Sequence, residues 1–328
     1  MDIENLINII DGKLINNPKI KKIESATIYP SKVEMGDLFF ASSKEDLSKA
    51  IQNGAFAVVF EGDLPSIEDK EIAYIKVNSI KEATIKFLRY ILIQKESTIY
   101  YFEDIEISLL KQITNRKTSI YTILDNNWQK SFETILNSNY EIFITNSLED
   151  ASTLSPNFKS LDNMVYGYII SDSLLKTTFK IEKYIYQNID ITPLFFDNLR
   201  KVVSFCQEKD IDYDINRVKY TKEFKPIFVD TNLNALPKGS SDKVLIFVNS
   251  IQTIKKAIEY LKEQGKWIKS LIFTPPKVKL ESTIKPIWYN SPNEVKEYLK
   301  KEYFQYAFCY QLKIEDIINN SKEYPSLF

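Results

Sequence analysis

Val33-Glu34-Met35-Gly36-Asp37-Leu38-Phe39-Phe40-Ala41, followed by Ala50-Ile51-Gln52-Asn53-Gly54-Ala55-Phe56-Ala57-Val58-Val59, decides how the chain folds. The Gly36-Asp37 turn leads into a short apolar run at 38–41, which reads as a buried strand. Residues 46–53 read as a helix with Leu47, Ala50 and Ile51 on one side, ended by Gly54. Apolar runs at 57–60 and 72–77 supply two more strands. Ser79 then opens a longer helix, in which Ile80, Ala83, Phe87, Leu88 and Ile91 recur at helical spacing. Strands alternating with helices predict an α/β unit with a mostly parallel sheet, over residues 1–95.

Downstream, two further α/β units are expected. Residues 96–223 offer strands at 99–102, 142–144 and 165–170, a weakly periodic helix at about 119–127 or slightly later, and an amphipathic helix at 193–208. The stretch 147–163 is polar and partly helical, and the acidic run Asp210, Asp212, Asp214 reads as a solvated connection. Residues 224–328 carry strands at 244–248, 271–274 and 306–310. Ser250 caps one helix that Gly265 ends, and Ser291-Pro292-Asn293-Glu294 starts another. The fold class is therefore α/β, as three small domains with mostly parallel sheets.

Composition removes several kinds of chemistry. The 328 residues include no histidine, so Ser-His and Cys-His catalysis, histidine metal sites and imidazole proton shuttling are excluded. The net charge of -1 carries no clustered basic surface, which argues against nucleic acid. Cys206 and Cys309 sit in apolar settings and read as buried thiols. No apolar run approaches the roughly 20 residues of a membrane span. The start, Met1-Asp2-Ile3-Glu4-Asn5, lacks the basic and apolar regions of a secretory signal, so the expected location is cytoplasmic.

Glu24-Ser25, the Gly36-to-Ala41 run and Gly54-Ala55 with Val58-Val59 resemble the uridine-nucleotide-binding domain of the Mur ligases. These are the ATP-driven enzymes that build the peptide of peptidoglycan precursors. The similarity is greatest to their D-alanyl-D-alanine-adding and diaminopimelate-adding branches. The departures lie on the ligand side. Ser25-Ala26 stands where the family has Ser or Thr followed by Arg, and Ser42-Ser43-Lys44-Glu45 replaces a longer glycine-bearing loop. A retained nucleotide-sugar site would use Ser25, Ser42 and Ser43.

The resemblance also implies an ATP site, and here the chain departs further. Gln112-Ile113-Thr114-Asn115-Arg116-Lys117-Thr118-Ser119 aligns with the family's phosphate loop but has no glycine. Thr114, Lys117, Thr118 and Ser119 would be its remnant. Ile144 falls where the family has a magnesium-binding Glu. Asp230 and Asn234 would be remnants of an Asp-x-x-Tyr-Asn-Ala-Asn-Pro segment. The resemblance thus implies a shortened, degenerate homologue with no cofactor, no metal and no catalytic residue. It would bind or scaffold near peptidoglycan precursor synthesis, with a UDP-linked muramyl precursor or a cell-wall synthesis protein as partner. Two alternatives stay open: a divergent ligase or transferase acting on UDP-linked muramyl peptide, and a UDP-sugar sensor.

Overall fold

A computed structural model describes residues 1–63, 67, 69–115, 119–265, 267–278, 280 and 282–319. Contacts divide the chain into two units, residues 1–102 with 117–160, and residues 103–116 with 161–328. The sequence suggested three domains with breaks at 95 and 223; the division by contact falls elsewhere.

The first unit starts with helix α1 (Ile3–Ile9) and strands β1 (Lys13–Leu14), β2 (Ala26–Thr27) and β3 (Leu38–Phe40). Helix α2 (Lys44–Gln52), strands β4 (Ala57–Glu61) and β5 (Ala73–Val77), and helix α3 (Ile80–Gln94) follow. Strand β6 (Thr98–Tyr101) opens a second sheet. Helix α4 (Asp104–Ile113) comes next in the chain but belongs to the other unit. The chain then forms β7 (Tyr121–Ile123), α5 (Trp128–Asn137), β8 (Ile142–Thr145), α6 (Leu148–Leu154) and β9 (Lys159–Ser160).

Strands β5, β4, β3 and β2 are parallel neighbours, with β1 antiparallel on the β5 edge. The second sheet, β7-β8-β6-β9, is wholly parallel. Parallel sheets need cover on both faces, and alternation along each strand supplies it. Phe39, Val58 and Phe60 pack on one face with Leu47 and Ala50 of α2. Leu38, Phe40, Ala57 and Val59 pack on the other with Phe87, Leu88 and Leu92 of α3. That second core runs on without a break into Ile99, Phe132, Ile135 and Phe143.

Two expectations need correction here. The helix expected at about 119–127 or slightly later takes the later place: Tyr121–Ile123 is a strand, and the helix begins at Trp128 behind an Asn127 cap. β-branched and aromatic residues favour the pleated surface over a weak helical pattern. Helix α4 was not expected at all. Six of its ten residues are buried, and Glu106 is among them, so its apolar face is interrupted and the helical period is blurred.

The second unit contains α4, then strands β10 (Gly167–Asp172), β11 (Thr177–Ile181) and β12 (Tyr184–Ile189), and helix α7 (Phe196–Glu208). The expected strand at 165–170 lies in an antiparallel β10-β11-β12 sheet, not a parallel one. Strands β13 (Lys225–Val229), β14 (Ala235–Leu236) and β15 (Val244–Val248), then helix α8 (Ile251–Gln264), begin the last sheet. Strands β16 (Ser270–Thr274) and β17 (Ile287–Trp288), helix α9 (Pro292–Lys301), strand β18 (Tyr306–Tyr310) and helix α10 (Ile314–Ile317) complete it. Its order is β14-β13-β15-β18-β16-β17, parallel from β15 to β17. The sequence-predicted strands and caps hold closely in this region: Ser250 and Ser291 accept from Thr253 N and Glu294 N. Cys206 and Cys309 are buried and unpaired, and burial pushes the Cys206 thiol up to about 12.

Lys95 joins the two sheets of the first unit. Its Nζ donates to the carbonyls of Ile135, Leu136 and Ser138, at 2.8, 2.7 and 2.6 Å, where α5 ends. A cation there complements the helix C-terminus. Burial pushes the ammonium below its usual range. Lys95→Met keeps the aliphatic stem and removes the donors, so urea unfolding followed by circular dichroism should show a loss of about 1–3 kcal/mol.

Candidate functional site

Ligands of open parallel sheets lie beyond the carboxyl ends of the strands. Ser42 and Ser43 follow β3 at that end, whereas Ser25 precedes β2 at the opposite end. Asp37, just before β3, accepts a hydrogen bond from Ser25 Oγ and another from Glu34 N at 2.9 Å. From Asp37 to Ser42 the chain climbs roughly 16 Å, at about 3.3 Å per residue. Ser43 caps α2, accepting from Asp46 N at 3.1 Å and donating to Asp46 Oδ2 at 2.8 Å. The three serines are therefore not brought together, and Ser25 and Ser43 each have a local structural partner.

Carboxylates stand at the strand ends instead. Glu133 of α5 accepts from Thr27 Oγ1 at 2.7 Å, Ile28 N at 3.3 Å and Asn137 Nδ2 at 3.2 Å, with Lys32 Nζ 3.6 Å away. Glu61, the last residue of β4, accepts from Ile80 N at 2.9 Å, where α3 starts. A cleft of about 290 Å³ nearby is lined by Pro30, Ser31, Lys49, Gln52 and Asn53, and by none of the three serines.

A phosphate loop joins a strand to the helix that follows it. Thr114 ends α4 and Ser119 leads toward β7, the reverse order. Thr114 is buried, its hydroxyl donates to Leu110 O at 2.7 Å, and it bridges to Tyr213. Ser119 is exposed; Lys117 and Thr118 lie outside the described residues. The strand-to-helix step in this part of the chain is instead Phe102-Glu103-Asp104, between β6 and α4. No glycine occurs between Gly62 and Gly167.

The start of α4 is satisfied by its own acidic side chains. Glu106 Oε2 accepts from Glu103 N at 2.8 Å, the reach-back bond of a capping box. Asn198 Nδ2 on α7 donates to Glu106 Oε1 at 3.2 Å, and Lys201 Nζ is 3.8 Å from the same oxygen. Asp104 adds a third carboxyl to the first turn. Burial pushes the Glu106 carboxyl above its ordinary 4.5, against the pull of Glu103 N, Asn198 and Lys201. These residues were missed from sequence; the signal was Glu103-x-x-Glu106 ahead of an apolar run.

The remaining candidates are structural. Ile144 is fully buried in β8, paired with Tyr100 and Ile123, and presents no oxygen to a metal. Asp230 and Asn234 do come together, in the tight turn between β13 and β14. Asp230 Oδ1 accepts from Asn232 N and Asn234 N at 2.8 and 2.9 Å, and Oδ2 from Asn234 Nδ2 at 2.8 Å. Burial pushes this carboxyl up, but the Asn234 and Asn232 hydrogen bonds outweigh it and hold it below the usual range. Among the described residues, no three His, Cys, Asp or Glu side chains gather as a metal site, and no helix is long and apolar enough to cross a membrane.

The fold is that of a Mur ligase. A MurF ligase from Thermotoga maritima, solved in complex with ADP, superposes with a TM-score of 0.52 at 12% identity, over 90% of this chain and 96% of that one. MurF from Acinetobacter baumannii gives 0.52 at 10% identity, over 94% and 95%. No family model and no curated protein matches the sequence.

A carboxyl raised by folding binds its proton more tightly folded than unfolded. The Glu106 contribution to stability is thus greatest in acid and falls as pH rises above 4.5. Glu106→Gln removes that dependence. The variant's urea midpoint minus the wild-type midpoint should be more positive at pH 7 than at pH 4.

Proposed function

We propose that this chain is a non-catalytic Mur-ligase-like protein, a pseudoenzyme that binds or scaffolds other components of peptidoglycan precursor synthesis. One observation carries the reading: the acidic, glycine-free start of α4. A helix N-terminus holds phosphate because its first N–H groups are free and its dipole is positive there. At α4 the N–H of Glu103 is taken by Glu106. Glu103, Asp104 and Glu106 also set three carboxyl groups where a phosphate would approach. Each like-charge pair about 4 Å apart costs roughly 1 kcal/mol in water and roughly 4 kcal/mol at a surface dielectric near 20.

The same residues do not fit MgATP. A phosphate cradle needs successive backbone N–H groups that curve inward without Cβ atoms in the way. Phe102, Glu103 and Asp104 all carry side chains. Ile144 leaves the expected magnesium position apolar. Losing a preorganised phosphate clamp removes several kcal/mol of transition-state stabilisation, or about 10³-fold or more in rate.

A binding role leaves the folded scaffold in use without the reaction. Its partners would be a UDP-linked muramyl precursor or a protein of cell-wall synthesis, and its location the cytoplasm. Calorimetry of the purified chain with millimolar MgATP should give no binding heat. No phosphate should be released when UDP-muramyl peptide, a dipeptide and ATP are supplied together. Micromolar affinity for MgATP overturns the reading.

A further inference from the structure

In the second unit, two connecting segments meet around a small cavity. One, Asp190 to Phe195, joins β12 to α7; the other, Lys219 to Phe224, leads into β13. Together they leave a space of about 10 Å³. Thr192, Tyr220 and Thr221 line it, and the hydroxyl of each is buried without a hydrogen-bond partner. Thr192 is 2% exposed and Thr221 4%. Phe195 and Phe224 form an edge-to-face pair with centroids 6.2 Å apart, which supplies an apolar wall. Lys238 Nζ bonds to Asp190 and lies 5.1 Å over the Tyr220 ring.

We propose that this cavity is a binding site for one structural water molecule, held by the hydroxyls of Thr192, Tyr220 and Thr221. An unpartnered buried hydroxyl costs free energy, and three lining one small space are costly unless something shared satisfies them. Water matches this set, since it both donates and accepts and each hydroxyl can do either. The space is also near the lower bound for a single water. Buried waters typically make about three hydrogen bonds, the number of hydroxyls present here. A metal cation fits poorly, since the lining carboxylate, Asp190, is already paired with Lys238.

The consequence is mechanical. The water ties the connector that leaves the antiparallel sheet to the connector that enters the six-stranded sheet.

A high-resolution crystal structure of the full chain provides the first test. One spherical density within about 2.7–3.2 Å of at least two of the three hydroxyls is expected. A dry cavity, or a site that an anomalous cation such as thallium enters, overturns the proposal. Thermal unfolding of Thr192→Val and Thr221→Val provides a second test of opposite signs. With a water present, each valine removes one of its partners and lowers the apparent Tm by about 2 °C. The double variant then loses less than the sum, because both act on one molecule. A Tm that stays level or rises in the valine variants means that the hydroxyls were unsatisfied in a dry cavity, and the proposal fails.

Discussion

Three phenylalanine rings, Phe40 of β3, Phe87 of α3 and Phe132 of α5, hold the first unit together. Their centroids are 5.5, 5.9 and 6.5 Å apart. Each buried ring is worth roughly 1.5–3 kcal/mol, and aromatic pairs add about 0.5–1.5 kcal/mol beyond their area. The geometry matters more than the sum. Helix α3 covers the first sheet and packs on α5 of the second, so one apolar core serves both. A chain cut near residue 95 would be cut through that core.

This explains what the sequence could and could not disclose. Continuous apolar runs at 38–41 and 57–60 identified strands with both faces buried, and serine caps at 79, 250 and 291 marked helix starts. These are local signals. Whether two α/β units share a core depends on which residues meet in space, and no linker composition marks the lack of a break. Helix α4 was hidden for a related reason. The buried Glu106 breaks its apolar face, which blurs the period that would mark the helix.

The candidate site was legible in chemistry but not in place. The lack of a glycine loop was evident from composition. The step where such a loop belongs was not, because it required knowing that 98–101 is a strand and 104–113 a helix. Ser25 and Ser42 show the same limit. Ser25 precedes β2 and Ser42 follows β3, its parallel neighbour, so the two lie at opposite ends of one sheet.

Carboxylates meet backbone donors beyond β2 and at the starts of α3 and α4, whereas Ser43, Asn127 and Ser147 cap α2, α5 and α6. Glu133 meets Thr27 and Ile28 beyond β2, Glu61 meets Ile80 at the start of α3, and Glu106 meets Glu103 N at the start of α4. A helix start whose N–H groups are free keeps a positive dipole that attracts any anion. An acid held on those donors satisfies them at a fixed effective concentration no free phosphate matches. A glycine placed at this step would thus not by itself make a phosphate cradle, because the competing side chains would remain. The fold tolerates this well, since a helix start needs its donors satisfied and is indifferent to whether a ligand or its own chain does so.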